Sequence, residues 1–496
     1  MLVRKVAIWL LHDLRLHDHP ALQAALADGA EALSFVYVWG PPHLSWGTFS
    51  YPAPYPASRR LHPLRERFLI ESLLDLSARI RPAVLYILQG EPHEVLPRWA
   101  AEKGISALYA HTEIAPEEKR YQAAVQKALQ AHGIPLKLVE GNALYEEAQL
   151  PFPVESLPFL FTRFRQLVER HATVKSPLPS PATLPPWPET EPTGLDFLKA
   201  HLQTLPPPPE HTFVWQGGET AGLKRLQDYL SGPVFTYKQT RNNFLGENFS
   251  SRLSPYLALG CLSPRQVYAL LRETEKQHGA NESTYWLFFE LLWREYFRWL
   301  LKKEKGRFFA AGGLRDMHIP WQQDEKLFTA WVEGRTGYPI VDAAMRELKA
   351  TAWTSNRARQ IVASVFTKNL LMDWRWGASY FETALIDYDT ASNWGNWLYQ
   401  AGVGTDGRGF RWFDPVRQAR LYDAQATYIK TWLPELRSLS PTEAYFPTPQ
   451  VRQRVGYPAP IVEWQPSLQR AKDTWYRALR GEPTGNQLLR LWADED

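Results

Sequence analysis

Carboxylates, amides and aromatic rings are concentrated between residues 386 and 399. The segment is Ile-Asp-Tyr-Asp-Thr-Ala-Ser-Asn-Trp-Gly-Asn-Trp-Leu-Tyr, in which Asp387 and Asp389 lie two residues apart. Two carboxylates this close repel each other in a dry site, so each needs its own donor or cation. Arg359, upstream in the segment 356–360, could pair with one of them. An N-cap flanked by surface salt bridges accounts for the same spacing, so the spacing alone leaves both interpretations open.

Several other motifs can be set aside. A G-x-G-x-x-G match between Gly402 and Gly407 follows an aromatic helical segment instead of a strand, so it does not predict a dinucleotide-binding turn. The glycines from 217 to 222 lack the lysine of a Walker A loop, because Leu223 stands there. The lone Cys261 excludes an intrachain disulfide and a cysteine-ligated metal cluster, and we predict no metal site. A single cysteine suits a reducing compartment, either the cytoplasm or an organelle.

Length and composition indicate a folded protein of two or three domains. The chain has 496 residues, of which 45% are hydrophobic and 22% charged. Its longest apolar runs are far shorter than the roughly 18 residues that cross a bilayer, so we expect no membrane association and no secretory signal. The net charge of +4 is too small to indicate nucleic-acid binding by itself. Tryptophan is unusually common, with 21 residues against 4 methionines.

The elements that must position these side chains change character along the chain. Short aliphatic runs alternate with helical patterns up to about residue 145, which predicts a parallel sheet with helices on both faces. The runs are 6–11, 33–39, 84–88, 108–109 and 136–139, and the helical patterns are 21–27, 61–80 and 116–132. The proline-rich stretch 176–210 predicts a connector without regular helix or sheet. From about 217 to 480 helical patterns dominate, as in 285–304 and 357–371.

The sequence resembles the photolyase/cryptochrome family, most closely its cryptochrome-DASH branch. The resemblance rests on Trp9–Asp18, Phe161–Arg165, Ser250–Leu257, Glu290–Glu295, Thr336–Met345 and Asp387–Tyr399, which stand in the family's order and spacing. It implies an antenna-type, Rossmann-like α/β domain at residues 1–145, an interdomain linker at 146–216 and an all-helical FAD-binding domain at 217–496. The opening Leu10-Leu11-His12 departs from the Phe-Arg-Asn or Phe-Arg-Arg usual in the family.

By this resemblance the helical domain holds FAD in a bent shape. The implied cofactor-binding residues are Tyr237, Ser250, Ser251, Arg252, Leu253, Ser254, Arg294, Asn356, Arg359, Asp387, Asp389 and Asn393. Hydroxyls and backbone N–H groups in the serine-rich loop suit a diphosphate. Arg359 and Asp387 match an ion pair beside the flavin ring, and Asn393 matches the position facing flavin N5. Plant cryptochromes carry Asp and animal ones commonly Cys at that position, so Asn393 favours repair.

The resemblance also implies an electron relay and a lesion pocket. Trp397, Trp374 and Trp321 fall at the three relay positions that lead from the flavin to the surface, although each could equally serve core packing. The implied substrate and DNA contacts are Arg241, Glu290, Trp293, Asn356, Arg357, Gln360, Tyr399 and Gln418. Glu290 and Trp293 share a helical face, and Arg294, one turn from Glu290, is the cation we expect beside it. Tyr399 replaces the Trp usual in photolyases for duplex DNA, which favours single-stranded substrate.

Two functions follow as expectations. The first is light-driven, FAD-dependent repair of cyclobutane pyrimidine dimers in single-stranded DNA, the activity of a deoxyribodipyrimidine photolyase. The second is a blue-light photoreceptor that binds nucleic acid or a partner without repair turnover. Repair of (6-4) lesions is disfavoured because residues 353–360 contain no histidine to act as acid. The resemblance further implies a methenyltetrahydrofolate antenna, to which Glu147 is assigned, and we expect a monomer.

A basic face should accompany the lesion pocket. Arginines near the motifs alternate with aromatic residues, which is the composition of a surface that binds single-stranded nucleic acid. They are Arg241, Arg294, Arg357, Arg408, Arg411, Arg417 and Arg420, with Trp412, Phe413 and Tyr422 among them. Arginines solvated on ordinary helix faces remain the alternative interpretation of each one.

Overall fold

A parallel sheet forms the N-terminal part of the computed structural model, which describes residues 3–40, 61–188, 193–210, 212–482 and 484. Its five strands lie in the order β3-β2-β1-β4-β5. They are β1 Lys5–Trp9, β2 Ala32–Trp39, β3 Val84–Gln89, β4 Ala107–His111 and β5 Leu136–Val139. Ile8 in the central strand pairs with Phe35 on one side and Tyr109 on the other. A parallel sheet buried on both faces explains why these strands are continuous apolar runs.

Helices cover both faces of this sheet. Alternate residues of β1 enter two different apolar clusters, with Val6 and Ile8 in one and Ala7 and Trp9 in the other. The helices of this part are α1 Pro20–Ala27, α2 Pro63–Arg79, α3 Pro92–Glu102 and α4 Pro116–Gln130. Each begins with proline at its first turn, where a missing N–H costs no hydrogen bond. The predicted alternation of strands and helices is confirmed.

The connecting region corrects one prediction. Two short 3₁₀ turns, Glu147–Gln149 and Val154–Ser156, lead into α5 Phe161–His171. A further helix, α6 Leu195–Thr204, lies inside the stretch that we expected to lack regular structure. Its ten residues contain no proline, and Leu198 is fully buried, so tertiary packing stabilises a helix between two proline-rich flanks.

The regular secondary structure of the remaining described residues is helical, apart from one isolated bridge between Gln322 and Met372. Their α-helices are α7 Glu219–Leu230, α8 Tyr237–Thr240, α9 Ser254–Ala258, α10 Pro264–His278, α11 Glu282–Glu304, α12 Glu325–Val332, α13 Pro339–Thr351, α14 Asn356–Ser364, α15 Trp374–Ala384, α16 Thr390–Ala401, α17 Pro415–Tyr422, α18 Thr427–Trp432, α19 Pro441–Tyr445, α20 Pro449–Val455 and α21 Trp464–Leu479. Short 3₁₀ turns connect them at Pro233–Thr236, Lys305–Phe309, Gly313–Arg315 and Pro434–Leu436. The predicted all-helical part is therefore confirmed.

One predicted helix differs in detail. The segment 357–371 is not a single α-helix, because α14 ends at Ser364 and continues as one π-helical turn, Val365–Asn369. Within that turn the Thr367 hydroxyl donates to the carbonyl of Ala363 at 2.8 Å. A hydroxyl bonded back to the preceding turn competes with the regular ladder.

Buried polar contacts join the sheet part to the helical part. Arg15 donates to the carbonyl of Gly260 at 2.9 Å, and Arg294 donates to the carbonyl of Asn142 at 3.0 Å. Gly260 has φ of +67°, and a Cβ there would overlap with the backbone of His12. Only glycine fits this close approach without strain. No helix among the described residues is both long and apolar enough to cross a membrane. The exact domain boundaries stay a prediction.

Candidate functional site

A cavity of about 260 Å³ lies in the helical part and adjoins a smaller compartment of about 100 Å³. The two share five lining residues, which are Asn356, Arg359, Asp387, Asp389 and Ser392. The outer cavity is also lined by Tyr237, Arg241, the loop 250–254, Glu290 and Arg294. The inner compartment is also lined by Gln360, Asn393 and Trp397. The fold therefore brings most of the predicted site residues around one continuous space.

Hydroxyl groups and one buried guanidinium define the outer end of the cavity. The loop 250–254 supplies three serines, and Arg252 within it has a left-handed φ of +54°. The Arg252 guanidinium lies 4.3 Å from the centre of the Trp353 ring and donates to the carbonyls of Gly246 and Glu247. Burial lowers the pKa of Arg252 to about 10, so it stays cationic at neutral pH. Hydroxyls beside a fixed positive charge suit an anionic phosphate group.

Two carboxylates and one arginine define the other end. Arg359 Nη2 lies 3.1 and 2.9 Å from the two carboxylate oxygens of Asp387, and its Nε donates to the carbonyl of Thr354. Asp387 is buried, so this is not the surface salt bridge of the simpler interpretation. Asp389 does act as an N-cap, since its Oδ1 accepts from the backbone N–H of Ser392 at 2.7 Å. Both interpretations of the spacing are therefore correct, for different residues.

The charge of Asp389 is maintained by its neighbours. Burial works to raise the pKa of this carboxyl, but the Arg294 charge and the hydrogen bonds from Ser392 outweigh it and lower the pKa. An ionised Asp389 offers lone pairs to an N–H donor in the cavity. Arg294 in turn is held by the carbonyl of Asn142, so the sheet part helps to position the charge that acts on Asp389.

Asn393 and Trp397 form the wall of the inner compartment. The Asn393 Nδ2 donates to the carbonyl of Ala378 at 3.0 Å, which directs its Oδ1 to other partners. The Trp397 ring lies against Gly377, where any Cβ would overlap with it. It also contacts Phe381, with ring centres 5.2 Å apart. The small residue at 377 is thus what makes room for the indole.

The other two predicted relay tryptophans meet at one carbonyl. Trp374 Nε1 and Trp321 Nε1 both donate to the backbone oxygen of Ala311, at 3.1 and 3.0 Å. Trp374 is fully buried, and Trp321 is half-buried at the surface. Trp374 lies one helical turn before Gly377, the residue that contacts Trp397. Trp397 and Trp374 are thus buried whereas Trp321 reaches the surface, and the role of the three indoles as a relay stays a prediction.

The predicted lesion-pocket residues come from three helices, with Glu290 and Trp293 on α11, Asn356 and Gln360 on α14, and Tyr399 on α16. The Trp293 and Tyr399 rings are in edge contact, with centres 5.4 Å apart and planes at 80°. Glu290 lines the cavity, but the cation beside it is not Arg294. Arg241 Nη1 forms the ion pair with the Glu290 carboxylate instead. Helix periodicity places Arg294 near Glu290, whereas folding brings in Arg241 from α8 and its following turn.

The predicted basic face is present around Tyr399. Arg408 donates to the Tyr399 hydroxyl, and the Arg411 guanidinium lies 5.1 Å from the centre of its ring. Arg357 lies between the rings of Phe413 and Tyr422, at 5.2 and 5.0 Å. The Gln418 Oε1 is buried without a hydrogen-bond partner among the described residues. Trp412, Arg417 and Arg420 are exposed.

Sequence reasoning missed several residues of the site. Ser392, Trp353 and Thr354 line the cavity, and Trp394 packs on Trp374 with ring centres 5.7 Å apart. Ser392 and Trp394 lie within the segment 386–399, so their location was a usable signal. Nothing in the local sequence signals Trp353, which reaches the cavity because Arg252 packs on its ring.

Two further places bear on the expected absence of a metal site and on the predicted antenna site. Asp13, His19 and His111 are buried together, but His19 Nδ1 accepts from the N–H of Leu22. The neutral ring then carries its proton on Nε2, 3.4 Å from the Asp13 carboxylate, so that nitrogen is not a free metal ligand. Glu147, the predicted antenna ligand, is exposed and forms an ion pair with Lys302. The antenna assignment stays a prediction.

Comparisons with known proteins agree with this geometry. A family model described as the FAD binding domain of DNA photolyase matches residues 286–477, and one described as DNA photolyase matches residues 6–185. A cryptochrome DASH from Gloeobacter violaceus is 43% identical over 478 residues, covering 93% of this chain and 94% of the relative. The chain belongs to the photolyase/cryptochrome family. A cryptochrome DASH from Arabidopsis thaliana, named chloroplastic/mitochondrial, is 39% identical and covers 89% of this chain and 77% of the relative.

Solved structures place the fold in the same family. A cryptochrome from Synechocystis matches with a TM-score of 0.87 at 38% identity, covering 96% of this chain and all of that chain (100%). A class III photolyase from Agrobacterium tumefaciens matches with a TM-score of 0.82 at 29% identity, covering 97% and 98% of the two chains. The predicted resemblance to the photolyase/cryptochrome family, and to its DASH branch, is confirmed.

The cofactor of this photolyase-type flavoprotein is FAD. The donor set of the cavity fits it, since hydroxyls and Arg252 at one end suit the diphosphate and an ionised Asp389 at the other suits a ring N–H. Arg359 and Asp387 lie with Asp389 on the wall shared by both compartments. The chain thus offers a cation, a carboxylate and an amide, each already positioned by its own hydrogen bonds.

Proposed function

We propose that this protein repairs cyclobutane pyrimidine dimers in single-stranded DNA, as a light-driven deoxyribodipyrimidine photolyase. The observation that carries the proposal is that Glu290, a substrate-type residue, lines the same cavity as the cofactor-type residues Arg359 and Asp389. Reduced FAD, when bound and excited by light, supplies an electron to the dimer and recovers it after the ring has split. A substrate that reaches Glu290 would therefore lie next to the electron donor.

The roles of the pocket side chains follow from their contacts. The carboxylate of Glu290 is paired with Arg241, so an entering dimer must displace Arg241 before it can bind Glu290. A phosphate of the DNA can attract Arg241 in exchange, since guanidinium groups bind phosphate well. Trp293 is held rigidly, because Phe161 stacks on one face at 3.7 Å. A rigid indole beside a carboxyl suits a flat, hydrogen-bonding pyrimidine pair.

Two features support the single-stranded preference and the repair chemistry. Tyr399 is smaller than tryptophan and is engaged by Arg408 and Arg411, so it offers less apolar area for drawing a lesion out of a duplex. Asn393 places a neutral amide at the flavin, with its Nδ2 committed to Ala378. A neutral group there does not oppose the negative charge of a fully reduced cofactor.

The decisive experiment measures light-dependent loss of thymine dimers from matched single-stranded and duplex oligonucleotides by chemically reduced, FAD-loaded protein. We expect dimer loss on both the wild-type protein and Glu290→Gln, with a lower yield per absorbed photon for Glu290→Gln. Glu290→Ala should yield less still, because it removes both side-chain atoms that could hydrogen-bond the dimer. Glu273→Ala, a change on the exposed face of α10, is the matched control and should repair like wild type.

The proposal fails if the reduced wild-type protein leaves dimers intact under light that it absorbs. Normal photoreduction of oxidised flavin together with absent repair would favour the blue-light photoreceptor. Equal yields for wild type and both Glu290 variants would remove Glu290 from the mechanism and leave it as the structural partner of Arg241.

Three accompanying expectations belong to this proposal. Methenyltetrahydrofolate remains the proposed antenna, to be identified by the absorption of material released from purified protein. A monomer should be found by light scattering of the FAD-loaded protein. The single cysteine, Cys261, is buried, which suits a reducing compartment such as the cytoplasm or, in a eukaryote, an organelle.

A further inference from the structure

Two neighbouring apolar side chains are exposed where the connecting region enters α5. Phe159 is 38% exposed and Leu160 is 43% exposed, although both are large apolar residues. We call this pair the linker tip. Its flanks are buried, since Leu157 and Phe161 are only 2% and 6% exposed. The tip is therefore a short apolar projection anchored on both sides.

Contacts place the linker tip at the rim of the lesion pocket. Phe161 stacks on Trp293 with ring centres 3.7 Å apart and planes at 11°. The carbonyl of Phe159 accepts from the hydroxyl of Tyr296, on the same helix as Trp293. A Cβ at Gly407 would lie 3.1 Å from Leu160 Cδ2, so Leu160 packs against the loop that follows Tyr399. The tip thus bridges the elements that carry Trp293 and Tyr399.

Two arginine side chains lie near the tip, and one of them, Arg408, is paired with the carboxylate of Asp406. The Arg315 guanidinium lies 5.5 Å from the centre of the Phe159 ring, and its donors bond the carbonyls of Gly404 and Asp406. Carbonyls leave the charge of Arg315 uncompensated. Arg408, next to Gly407, has a side chain that is 60% exposed. An exposed ring with cations beside it is the chemistry that binds a nucleobase and its phosphate.

We propose that the linker tip stacks against the nucleobase next to the extruded dimer. The inference rests on the proposed function, which places the dimer beside Trp293. A dimer that leaves the strand removes one stacking partner from each adjacent base. Phe159 and Leu160 are exposed and directly precede Phe161, which stacks on Trp293, so an adjacent base that follows the backbone out of the pocket would meet their apolar surface. The tip would then recognise the strand beside the lesion instead of the lesion itself.

Binding affinities measured in the dark test the contact between Phe159 and the adjacent base, with changes made in the protein, in the DNA and in both together. The probes are single-stranded oligonucleotides with one central thymine dimer, carrying either a purine or an abasic site on its 5′ or 3′ side. With wild-type, FAD-loaded protein we expect removal of one of the two adjacent bases to weaken binding about tenfold. Phe159→Ala should bind the intact probe about tenfold more weakly and should lose nothing further when the same base is removed.

Three further proteins complete the experiment. Phe159→Tyr keeps the ring and should retain the dependence on the adjacent base, while Leu160→Ala should reduce it. Leu479→Ala changes a leucine with similar exposure, 45%, on the last helix and should behave as wild type. Flavin content reports correct folding of each variant.

The proposal would be overturned if Phe159→Ala and removal of the adjacent base each weakened binding and their effects on the binding free energy simply added. An unchanged affinity of Phe159→Ala for the intact probe would overturn it as well. The proposed function is judged separately by dimer loss under light. If Phe159 and the adjacent base are coupled in binding but the wild-type protein never repairs dimers, the role of the linker tip stands and the repair function is refuted. If the wild-type protein repairs dimers but shows no such coupling, the repair function stands and the role of the linker tip is refuted.

Discussion

Replacing Glu219 by glutamine should reveal how strongly the two parts of the protein are joined. The Glu219 carboxylate is buried and accepts from the backbone N–H of Leu16 at 2.8 Å. It also accepts from His17 Nδ1 and pairs with Arg79. Burial alone would raise its pKa, but the hydrogen bond and the charge of His17, followed by the charge of Arg79, outweigh burial and lower the pKa to about 2. The residue thus connects the N-terminal loop, α2 and α7.

At neutral pH the positive charge in this cluster comes from Arg79, whereas His17 adds a charge only at lower pH. Burial lowers the pKa of His17, and its Nε2 accepts from the N–H of Ser263 at 3.4 Å. The ring is therefore neutral at pH 7, with its proton on Nδ1 facing Glu219. Glutamine at 219 would turn an N–H toward either His17 or Arg79, both of which donate.

The expected cost follows from the pKa. The fall from an ordinary 4.5 to about 2 corresponds to roughly 3 kcal/mol, at about 1.4 kcal/mol per pH unit. Because the folded pKa is lower than the unfolded one, this stability is fully present above pH 4.5 and disappears as the pH falls toward 2. The Glu219→Gln variant should be less stable by up to this amount from pH 5 to 8, because part of the fall in pKa comes from a His17 charge that is absent at neutral pH. The difference from wild type should close only below about pH 4.

Urea unfolding of FAD-loaded protein, followed by circular dichroism from pH 3 to 8, measures this difference. Glu273→Gln on the exposed face of α10 is the control and should change stability by less than about 0.5 kcal/mol. A difference that changes mainly between pH 6 and 7 would show that His17 is charged and would refute the assignment of the charge to Arg79. No difference at pH 7 would refute the argument altogether.

Three other changes address the cofactor site. Trp397→Phe should stop photoreduction of oxidised flavin but should leave repair by chemically reduced protein intact. Its control is Trp99→Phe, which changes a buried indole in the sheet part. A wild-type rate of photoreduction in Trp397→Phe would show that Trp397 is not part of the relay. Gly377→Ala should destabilise the protein by about 1–3 kcal/mol and slow photoreduction, because its Cβ overlaps with the Trp397 ring, as thermal unfolding and transient absorption would show. Asp387→Asn should weaken FAD binding about tenfold or more in a flavin-release titration, since Arg359 loses a charged partner; unchanged affinity would make their pair purely structural.

Local sequence patterns were sufficient to predict structure and site chemistry where the decisive residues lie within one strand, helix or loop. The strands β1 to β4 are predictable because a sheet covered on both faces requires continuous apolar runs. The serine loop 250–254 and the segment 386–399 could be recognised because their chemistry lies within a few consecutive residues. Helix α6 was missed because the prolines around it dominate the composition, whereas Leu198 supplies the buried contact that stabilises it.

Contacts between segments that are distant in the chain could not be predicted from local sequence patterns. The partner of Glu290 is Arg241, although periodicity points to Arg294, because the interhelical approach depends on how α8 and α11 pack. The stacking of Phe161 on Trp293 and the shared acceptor of Trp374 and Trp321 also join residues far apart in the chain. Sequence alone thus determined the family, the fold class and the chemical types at the site. Tertiary structure decided which charges meet and which faces remain open, because both depend on packing between elements.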